Sequence, residues 1–344
     1  MRKNLLIIMT LFAFGIMNAQ TNVTVNTGAS YADEVYYDFV NGSVKTVARD
    51  TWDIAFTTEV YDVSVLVNIG NGLELYTYPD GDQADWETVD ITNIDSWPQM
   101  YNSIEYWEGG AFVQNSLGHP DYGWGTYDDV THDIRGDSIF IIKLATGEYK
   151  KLIIEEKVAT MNTWEFRYAD IDGSNEMLIN FNANDYSDLN FIHYSIENDQ
   201  FVEQEAPAAD WRLLFTRYYD YTIPYMVSGV FSKFGVYVQE VRESGLDQAS
   251  YYDYDVGQMS EIINTIGSDW KMYNSGWQIA DTVVYFVQDQ TTSSDGSIWK
   301  LYFTDFGGMG TGEYFFVQEQ MAVDVNDVNS VHMTVYPNPV SDIT

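Results

Sequence analysis

The chain has 344 residues, a formal net charge of -36 and no cysteine. Because 52 acidic residues stand against 16 lysines and arginines, the surface repels polyanions, which argues against a nucleic acid partner. The lack of thiols rules out disulfide bonds, zinc–thiolate sites and cysteine nucleophiles. Hydrophobic residues make up 45% of the chain, a share typical of a folded globular protein.

The first 20 residues have the pattern of a secretory signal peptide. Arg2 and Lys3 form a basic start, residues 5–17 are apolar, and residues 18–20 are a plausible cleavage edge. The apolar segment is shorter than the roughly 20 residues that a membrane-spanning helix needs, so we expect no integral span after cleavage. No cysteine follows that could carry a lipid. We therefore expect export through the periplasm, to the medium or to the outer cell surface.

After residue 20, short β-branched and aromatic runs separated by Gly, Asn and Asp predict β-strands. The predicted strands lie at residues 35–40, 52–56, 63–67, 139–142, 152–154, 164–168, 283–287, 299–303 and 314–317. Asn-Gly and Asp-Gly pairs predict hairpin turns at residues 41–42, 71–72, 80–81, 172–173 and 295–296. Helical periodicity is nearly absent, and its best candidate is the segment 259–266. The sequence therefore predicts an all-β, antiparallel fold with little helix.

An internal repeat relates two parts of the chain. Residues 51–57, Thr-Trp-Asp-Ile-Ala-Phe-Thr, are echoed by residues 210–216, Asp-Trp-Arg-Leu-Leu-Phe-Thr, and a Tyr-containing strand and a turn precede each copy. Further matches follow in the same order: residues 96–103 with 269–275, 147–152 with 296–301, and 163–166 with 312–315. We expect two tandem, related β-sandwich-like units, at residues 21–190 and 191–322, either as separate domains or as halves of one sandwich. Trp52 and Trp211 are expected in their cores, because a buried Trp supplies a large apolar area.

Three segments of the first unit resemble the HmuY-like haem-binding family of Bacteroidota: residues 52–56, Trp-Asp-Ile-Ala-Phe, together with residues 141–152 and 164–168. The resemblance implies an antiparallel β fold that holds a haem between two axial side chains from loops. Members of that family are lipoproteins, whereas this chain has no cysteine for lipidation. No axial ligand of the family aligns with a position of this chain.

Haem iron takes His or Met as axial ligands, and a few residues are candidates for this role. His119 and His132 flank a Gly-rich aromatic loop at residues 118–127, and Met100 and Met272 occupy matched positions of the repeat. The alternative is that the histidines are ordinary surface or turn residues. Haem is therefore a candidate cofactor, with these four side chains as its candidate ligands.

Two other kinds of site follow from the sequence. Asp170, Asp172 and Glu176 belong to a segment with the Asp-x-Asp-Gly start of a calcium loop, although a hairpin turn with solvated acids explains the same residues. The aromatic residues Trp107, Tyr122 and Trp124 are candidates for stacking on a small-molecule or glycan ligand. Core packing is the alternative for them, since aromatic residues in strands are usually buried.

The last part of the chain differs in character from the rest. Residues 323–330 are polar and predict a linker. Within residues 331–344, the stretch Val-Tyr-Pro-Asn-Pro-Val-Ser-Asp at 335–342 closely resembles the opening of the type A C-terminal sorting domain of the type IX secretion system. The resemblance implies that the type IX machinery is a partner and carries the protein across the outer membrane. Further strands follow in the resembled domain, so we expect a truncated copy here.

Motifs for catalysis are not found in the sequence. It has no Gly-x-Ser-x-Gly elbow, no His-Glu-x-x-His and no phosphate-binding loop, and nothing selects a carboxylate pair for glycoside hydrolysis. We expect a non-catalytic, secreted or cell-surface ligand-binding protein, with haem as the first ligand to consider. The alternatives are a carbohydrate-binding or adhesive surface protein and a structural secreted module.

Overall fold

The computed structural model of the chain describes residues 20–290 and 297–321. The predicted signal peptide, apart from Gln20, lies outside the described residues, and so do the predicted linker, the sorting segment and the turn at 295–296. Within the described ranges the chain forms antiparallel β-sheets with little helix, which confirms the predicted all-β fold. No helix of these ranges combines the length and the apolar character that crossing a membrane requires.

Strands make up most of the regular structure. In chain order they are β1 (Thr21–Asn26), β2 (Asp33–Asp38), β3 (Gly42–Ala48), β4 (Ile54–Thr57), β5 (Val65–Val67), β6 (Glu74–Thr77), β7 (Gly125–Tyr127), β8 (Ile134–Gly136), β9 (Phe140–Lys143), β10 (Tyr149–Val158), β11 (Thr163–Asp170), β12 (Met177–Asn182), β13 (Phe191–Ser195), β14 (Gln200–Val202), β15 (Leu213–Asp220), β16 (Tyr225–Ser232), β17 (Val236–Arg242), β18 (Lys271–Tyr273), β19 (Trp277–Ile279), β20 (Val283–Asp289), β21 (Ile298–Phe306) and β22 (Glu313–Gln320).

Helical segments are short and lie in the connections. The 3-10 helices span Ala29–Tyr31, Arg49–Thr51, Ile69–Asn71, Gln83–Thr88, Ile94–Ser96, Ala111–Val113, Ala183–Tyr186 and Val256–Gln258, and the α-helix α1 spans Gly308–Thr311.

The strands form two sandwiches, each with a large outer sheet and a smaller inner sheet. In the first sandwich the outer sheet has the order β12-β11-β10-β8-β7, with β9 paired to β10 and β6 paired to β9, and the inner sheet has the order β14-β13-β4-β5. In the second sandwich the outer sheet is β1-β22-β21-β20-β17 and the inner sheet is β16-β15-β2-β3. The hairpin of β18 and β19 forms a separate two-stranded sheet.

Each sandwich encloses its own apolar core. In the first, Phe56 of the inner sheet meets Trp164 and Phe166 of the outer sheet, with ring centroids 5.2 and 4.9 Å apart. In the second, Phe215 of the inner sheet meets Tyr314 of the outer sheet at 5.0 Å. These inward-facing side chains alternate with neighbours that face away from the cores, as the two-residue period of a strand requires.

The inner sheets are built by an exchange of hairpins. The hairpin β2–β3 pairs with β15, which places Tyr37 opposite Leu213. The hairpin β13–β14 pairs with β4, which places Tyr194 opposite Ile54. The order β16-β15-β2-β3 of one inner sheet therefore recurs as β5-β4-β13-β14 in the other. The repeated segments thus take equivalent places in different sandwiches, and strand pairing crosses residue 190.

The outer sheets follow the same correspondence. The order β6-β9-β10-β11-β12 in the first sandwich matches β17-β20-β21-β22-β1 in the second. If each strand is assigned to the same unit as its neighbours in sequence and matched to its equivalent in the other sandwich, the first unit runs from β1 to β11 and the second from β12 to β22. The two units meet in the turn between β11 and β12. The sequence placed the boundary at residue 190. The first three strands of each unit complete the sandwich of the other unit.

Trp52 and Trp211 are buried, as predicted, but they do not lie in the sandwich cores. They pack on the opposite faces of the inner sheets, in the layer between the sandwiches. The reason is a bend at Asp53 and another at Arg212, one residue before each strand begins. The Asp53 carboxylate accepts a hydrogen bond from Glu197 N at 3.0 Å. The sequence predicts that the in-and-out alternation of side chains begins at the tryptophan, with Trp52 on the same face as Ile54. The bend interrupts this alternation, so Trp52 lies on the other face of the sheet.

The predicted strands all overlap observed ones. Of the predicted turns, residues 41–42 and 172–173 close the hairpins β2–β3 and β11–β12. Residues 71–72 and 80–81 do not close hairpins, because β5 and β6 belong to different sheets and residues 80–81 lead into a 3-10 helix. The helix candidate at 259–266 was wrong: this segment forms turns and one isolated bridge, in which Ser260 pairs with Val238 of β17.

Candidate functional site

The inner sheets of the two sandwiches face each other across a layer that we call the seam. Trp107, from the loop between β6 and β7, links them: its ring contacts Phe191 of the first sandwich and Phe231 of the second, at 5.7 Å in both cases. Its indole N–H donates to the Ser232 carbonyl oxygen at 2.9 Å. The seam is aromatic but also contains buried polar groups, which distinguishes it from the two apolar cores.

Glu34 is a buried carboxylate of the seam. It accepts hydrogen bonds from Gln204 Nε2 and Thr216 Oγ1, both at 2.7 Å. Burial raises the pKa of Glu34, while the donated hydrogen bonds and the positive charge of Arg49 act in the opposite direction. The side chain is therefore held in place by neutral donors and not by a cation.

Glu205 is the second buried carboxylate. It accepts hydrogen bonds from the backbone N–H groups of Asn190 and Phe191, at 3.0 and 2.8 Å, and from the Trp211 indole at 3.2 Å. Burial nevertheless raises the pKa of Glu205 to about 7. This carboxyl group therefore changes its charge near neutral pH.

His193 and Trp52 lie beside these acids and have polar atoms without partners. Their rings meet edge-on at 4.8 Å, and the two residues are 6% and 7% exposed. Neither His193 Nδ1 nor Trp52 Nε1 forms a hydrogen bond of normal geometry within the described residues, although the Trp52 indole lies close enough to Glu34 to lower the pKa of that carboxylate. Burial and the nearby charge of Lys45 lower the pKa of His193 to about 3, so the imidazole is neutral at physiological pH. Buried polar groups are nearly always paired, so these atoms point to an occupant of the seam.

A cavity of about 90 Å³ lies between the inner sheets, and the polar groups line it. Its walls are largely aromatic and include Tyr36, Trp52, Trp107 and Trp211. The volume equals that of roughly three water molecules at about 30 Å³ each. Pockets for drug-sized ligands measure roughly 300–1,000 Å³, so this cavity accepts only a small molecule or water.

A larger groove of about 930 Å³ adjoins the cavity and shares Ser103, Asn190 and Phe234 with it. We call it the tyrosine groove, because its lining includes Tyr61, Tyr101, Tyr106, Tyr122 and Tyr221. Its size falls in the range of sites for drug-sized ligands.

Carboxylates stand among the tyrosine rings of this groove: Glu59, Asp62 and Glu108 line it. The Oδ2 atom of Asp62 is buried without a hydrogen-bond partner, and burial raises the pKa of Asp62. Behind them, Lys157 Nζ donates to the carbonyl oxygens of Glu59 and Asp62, and burial lowers the pKa of Lys157 to about 8. The groove thus offers hydrogen-bond acceptors next to flat aromatic faces.

The loop that carries Tyr101 and Tyr106 is fixed to β5. Asn102 accepts a hydrogen bond from Val67 N at 3.1 Å and donates to Val67 O at 2.8 Å. Gly110 approaches β5 so closely that a Cβ atom there would stand 2.3 Å from the Val65 carbonyl oxygen, so only glycine fits. These contacts make the groove wall a defined surface.

The candidate haem ligands are only partly brought together. The exposed side chains of His119 and His132 both contact the Tyr127 ring, with centroids 5.2 and 5.9 Å apart. Met100 is buried in the core of the first sandwich, and Met272 is exposed on the hairpin β18–β19. The structure therefore pairs the histidines but leaves the two methionines apart from them.

The candidate binding aromatics have different positions. Tyr122 lines the tyrosine groove and Trp107 lines the cavity. Trp124 is fully buried, and its indole N–H donates to the Val63 carbonyl oxygen at 3.0 Å. Trp124 is therefore a core residue and has no face for a ligand, a correction to the expectation from sequence.

The acids proposed for calcium make protein contacts instead. Asp170 and Asp172 both accept a hydrogen bond from Ser174 Oγ, at 3.0 and 2.6 Å, which shapes the turn between β11 and β12. Glu176 accepts from the Trp86 indole at 2.8 Å. Within the described residues, no group of three or more His, Cys, Asp and Glu side chains is arranged to hold a metal ion.

Sequence reasoning missed the polar residues of the seam. Glu34, His193 and Glu205 stand within or beside short strands and form no motif. One signal was available, because in the two hairpins that precede the repeated segments His193 takes the position of Tyr36. A tyrosine position that becomes a histidine in one copy marks a place where the copies differ in their side-chain chemistry.

Comparison with known proteins assigns neither a family nor a fold relative: no family model, curated protein or solved structure matches this chain. The functional argument therefore depends on the geometry of the seam and the groove.

Proposed function

We propose that the chain is a non-catalytic, carbohydrate-binding protein of the cell exterior, and that the tyrosine groove holds the glycan. The observation that carries this proposal is the combination of several tyrosine rings with carboxylate and amide groups in one groove of about 930 Å³. Export by the type IX machinery, which the terminal sequence motifs predict, brings such a groove into contact with extracellular glycans.

The chemistry of the groove suits a sugar ring. A pyranose presents an apolar C–H face that packs on an aromatic ring, and hydroxyl groups that donate to carboxylates. Tyr61 is 92% exposed and Tyr106 is 54% exposed, and the exposed carboxylates Glu59 and Glu108 line the same groove. Because the acids repel negative charge, neutral or basic glycans are favoured over sulfated or uronic ones.

Haem is the second candidate and receives less support. The contact of His119 and His132 with one tyrosine ring favours it. Neither histidine lines the groove or the cavity. The propionates of haem are anionic and would meet Glu59, Asp62 and Glu108 in the groove, so haem would have to bind on the exposed surface around Tyr127.

Titration calorimetry of the purified chain with a panel of neutral, basic and acidic oligosaccharides tests the proposal. We expect binding of at least one neutral or basic glycan. Tyr61→Ala and Tyr106→Ala should each weaken that binding by about fivefold to tenfold, because one aromatic contact contributes about 1 kcal/mol. Tyr273→Ala is the matched control, since Tyr273 is also exposed but lies on the hairpin β18–β19.

Three results would contradict this assignment. The first is a panel in which no glycan binds, and the second is an equal loss of binding in the Tyr273→Ala control. The third is a shift of the haemin Soret band that His119→Ala or His132→Ala removes, which would move the function to haem binding. Hydrolysis of a bound glycan would contradict the non-catalytic part of the proposal.

A further inference from the structure

Two buried carboxylates in the seam lack a cationic partner. Glu34 and Glu205 both line the cavity, and neither forms a salt bridge within the described residues. A buried carboxylate is costly unless a cation or a full set of hydrogen bonds compensates it. Glu205 is compensated by four donated hydrogen bonds, whereas Glu34 accepts two from neutral side chains. A positively charged occupant of the cavity would supply the partner that Glu34 lacks.

The cations of the protein near the seam are engaged elsewhere. Arg49, Lys45 and Lys233 each donate hydrogen bonds to backbone carbonyl oxygens. Arg217 alternates with Thr216 along β15, and Thr216 binds Glu34 in the seam. Arg217 also lines the cavity, but no salt bridge joins it to Glu34 or Glu205 within the described residues. The two carboxylates remain without an ion pair.

Two residues that line the same cavity also have a buried polar atom without a partner. Trp52 Nε1 carries a hydrogen that needs an acceptor; it lies close to the Glu34 carboxylate but makes no hydrogen bond of normal geometry. His193 Nδ1 belongs to a neutral imidazole and has no partner. A hydroxyl group between Trp52 and Glu34 would accept from one and donate to the other.

We propose that the cavity of the seam binds a small primary ammonium compound that also carries a hydroxyl group, that is, an amino alcohol. The ammonium group lies against Glu34 and the imidazole of His193, and the hydroxyl group bridges Trp52 and Glu34. The aromatic walls formed by Trp52, Trp107 and Trp211 favour a cation through the negative faces of their rings. The volume of about 90 Å³ limits the ligand to a few heavy atoms. This site adjoins the tyrosine groove, but Glu34, Trp52 and His193 line the cavity and not the groove, so the proposal does not depend on glycan binding.

Titration calorimetry of the full chain with three probes tests each part of the proposal. Ethanolamine has both groups, ethylammonium lacks the hydroxyl group, and ethylene glycol replaces the ammonium group by a neutral hydroxyl. Ethanolamine should bind tightest. Ethylammonium should bind about 30-fold more weakly, as expected for the loss of the two hydrogen bonds that the hydroxyl group makes with Trp52 and Glu34. Ethylene glycol should bind at least about 100-fold more weakly, since it leaves the carboxylates without a cation.

Variants locate the binding in the seam. Glu34→Gln should remove the preference for ethanolamine over ethylene glycol. Trp52→Phe keeps an aromatic ring but removes the N–H, so the preference for ethanolamine over ethylammonium should fall to about fivefold, the share of the remaining hydrogen bond from the hydroxyl group to Glu34. Trp86→Phe is the matched control, because Trp86 is buried outside the cavity and its N–H donates to Glu176, and it should keep the preference. Circular dichroism checks that each variant is folded, and Trp52→Phe decides the question if Glu34→Gln does not fold.

The proposal is overturned if ethylene glycol binds wild-type protein as well as ethanolamine does. It is also overturned if none of the probes binds at millimolar concentration, which would mean that the cavity holds only water. An unchanged ethanolamine preference in folded Trp52→Phe would contradict the assigned position of the hydroxyl group.

Discussion

The two inner sheets carry the same kind of ring pair at equivalent positions, and the two pairs differ in their hydrogen bonds. In the second sandwich Tyr36 meets Trp211 edge-on at 5.0 Å, and in the first His193 meets Trp52 edge-on at 4.8 Å. The Trp211 N–H donates to Glu205 at 3.2 Å, whereas Trp52 Nε1 and His193 Nδ1 have no partner within the described residues. The duplicated scaffold repeats its packing but not its polar contacts.

This difference separates a structural pair from a candidate binding pair. Trp211 and Glu205 satisfy each other, so they hold the seam together without help. Trp52 and His193 cost free energy as long as their polar atoms stay unpaired. A ligand with an acceptor for Trp52 Nε1 and a donor for His193 Nδ1 would pair both atoms. Trp211 and Glu205 are therefore a structural pair, whereas Trp52 and His193 mark the candidate binding site.

The largest expected effects concern the cores that flank the seam. Phe56→Ala and Phe215→Ala, at equivalent positions of the two inner sheets, should each lower the free energy of unfolding by about 3–5 kcal/mol, through lost burial and the cavity left behind. Both variants should lower the midpoint of one shared transition, because the exchanged hairpins tie each sandwich to the other. Urea denaturation followed by fluorescence and circular dichroism measures this.

Tyr61→Ala is the control for these core variants and should change the stability by less than about 0.5 kcal/mol, since Tyr61 is exposed. Two separate transitions, of which each Phe variant shifts only one, would show that the sandwiches unfold independently despite the exchange.

A smaller effect concerns Glu205 and pH. Burial raises the pKa of Glu205 from 4.5 to about 7, so the folded state keeps a proton that the unfolded chain releases between these pH values. The free energy of unfolding contributed by this group should therefore fall as pH rises from about 4.5 to about 7, by about 3 kcal/mol in total. Glu205→Gln should lack this fall.

The comparison must be made between the variant and the wild type. Because burial lowers the pKa of His193 from 6.5 to about 3, this residue contributes the opposite slope: stability is lost as pH falls below about 6.5. The difference in unfolding free energy between wild type and Glu205→Gln, measured from pH 4 to pH 8, isolates Glu205. If the unfolding free energy changed equally with pH in both proteins, the raised pKa of Glu205 would be contradicted.

The smallest effects compare the two indole groups directly. Trp211→Phe removes a donor of a buried carboxylate and should cost about 1–2 kcal/mol more than the lost ring volume alone. Trp52→Phe removes an N–H that has no partner, so this additional cost should be near zero. Denaturation curves of the two variants at one pH give the difference, and equal costs would mean that the seam is symmetric.

The all-β class and the positions of the strands could be predicted because they are local. Strands such as β11 and β21 are rich in β-branched and aromatic residues. The turns of the hairpins β2–β3 and β11–β12 are specified by Asn41 with Gly42 and by Asp172 with Gly173, because these residue types tolerate a positive φ. The repeat was also readable, since Trp52 and Trp211 stand in similar segments.

The seam could not be predicted from the sequence, because it is produced by pairing over long distances along the chain. Nothing local in the hairpin β13–β14 indicates that it pairs with β4, which precedes it by more than a hundred residues. The face that Trp52 presents depends on the bend at Asp53, and the burial of Glu34 depends on Gln204 and Thr216 from the other unit. Such contacts exist only in the assembled fold.

The indole NMR signals of the tryptophans test the central claim, that the seam is asymmetric and that its open side binds a ligand. In a spectrum of ¹⁵N-labelled protein, assigned with Trp52→Phe and Trp211→Phe, ethanolamine should shift the Trp52 Nε1–H signal strongly and the Trp211 signal only slightly, because only the first N–H gains a new acceptor. Equal shifts of both signals, or no shift at saturating ethanolamine, would contradict this account.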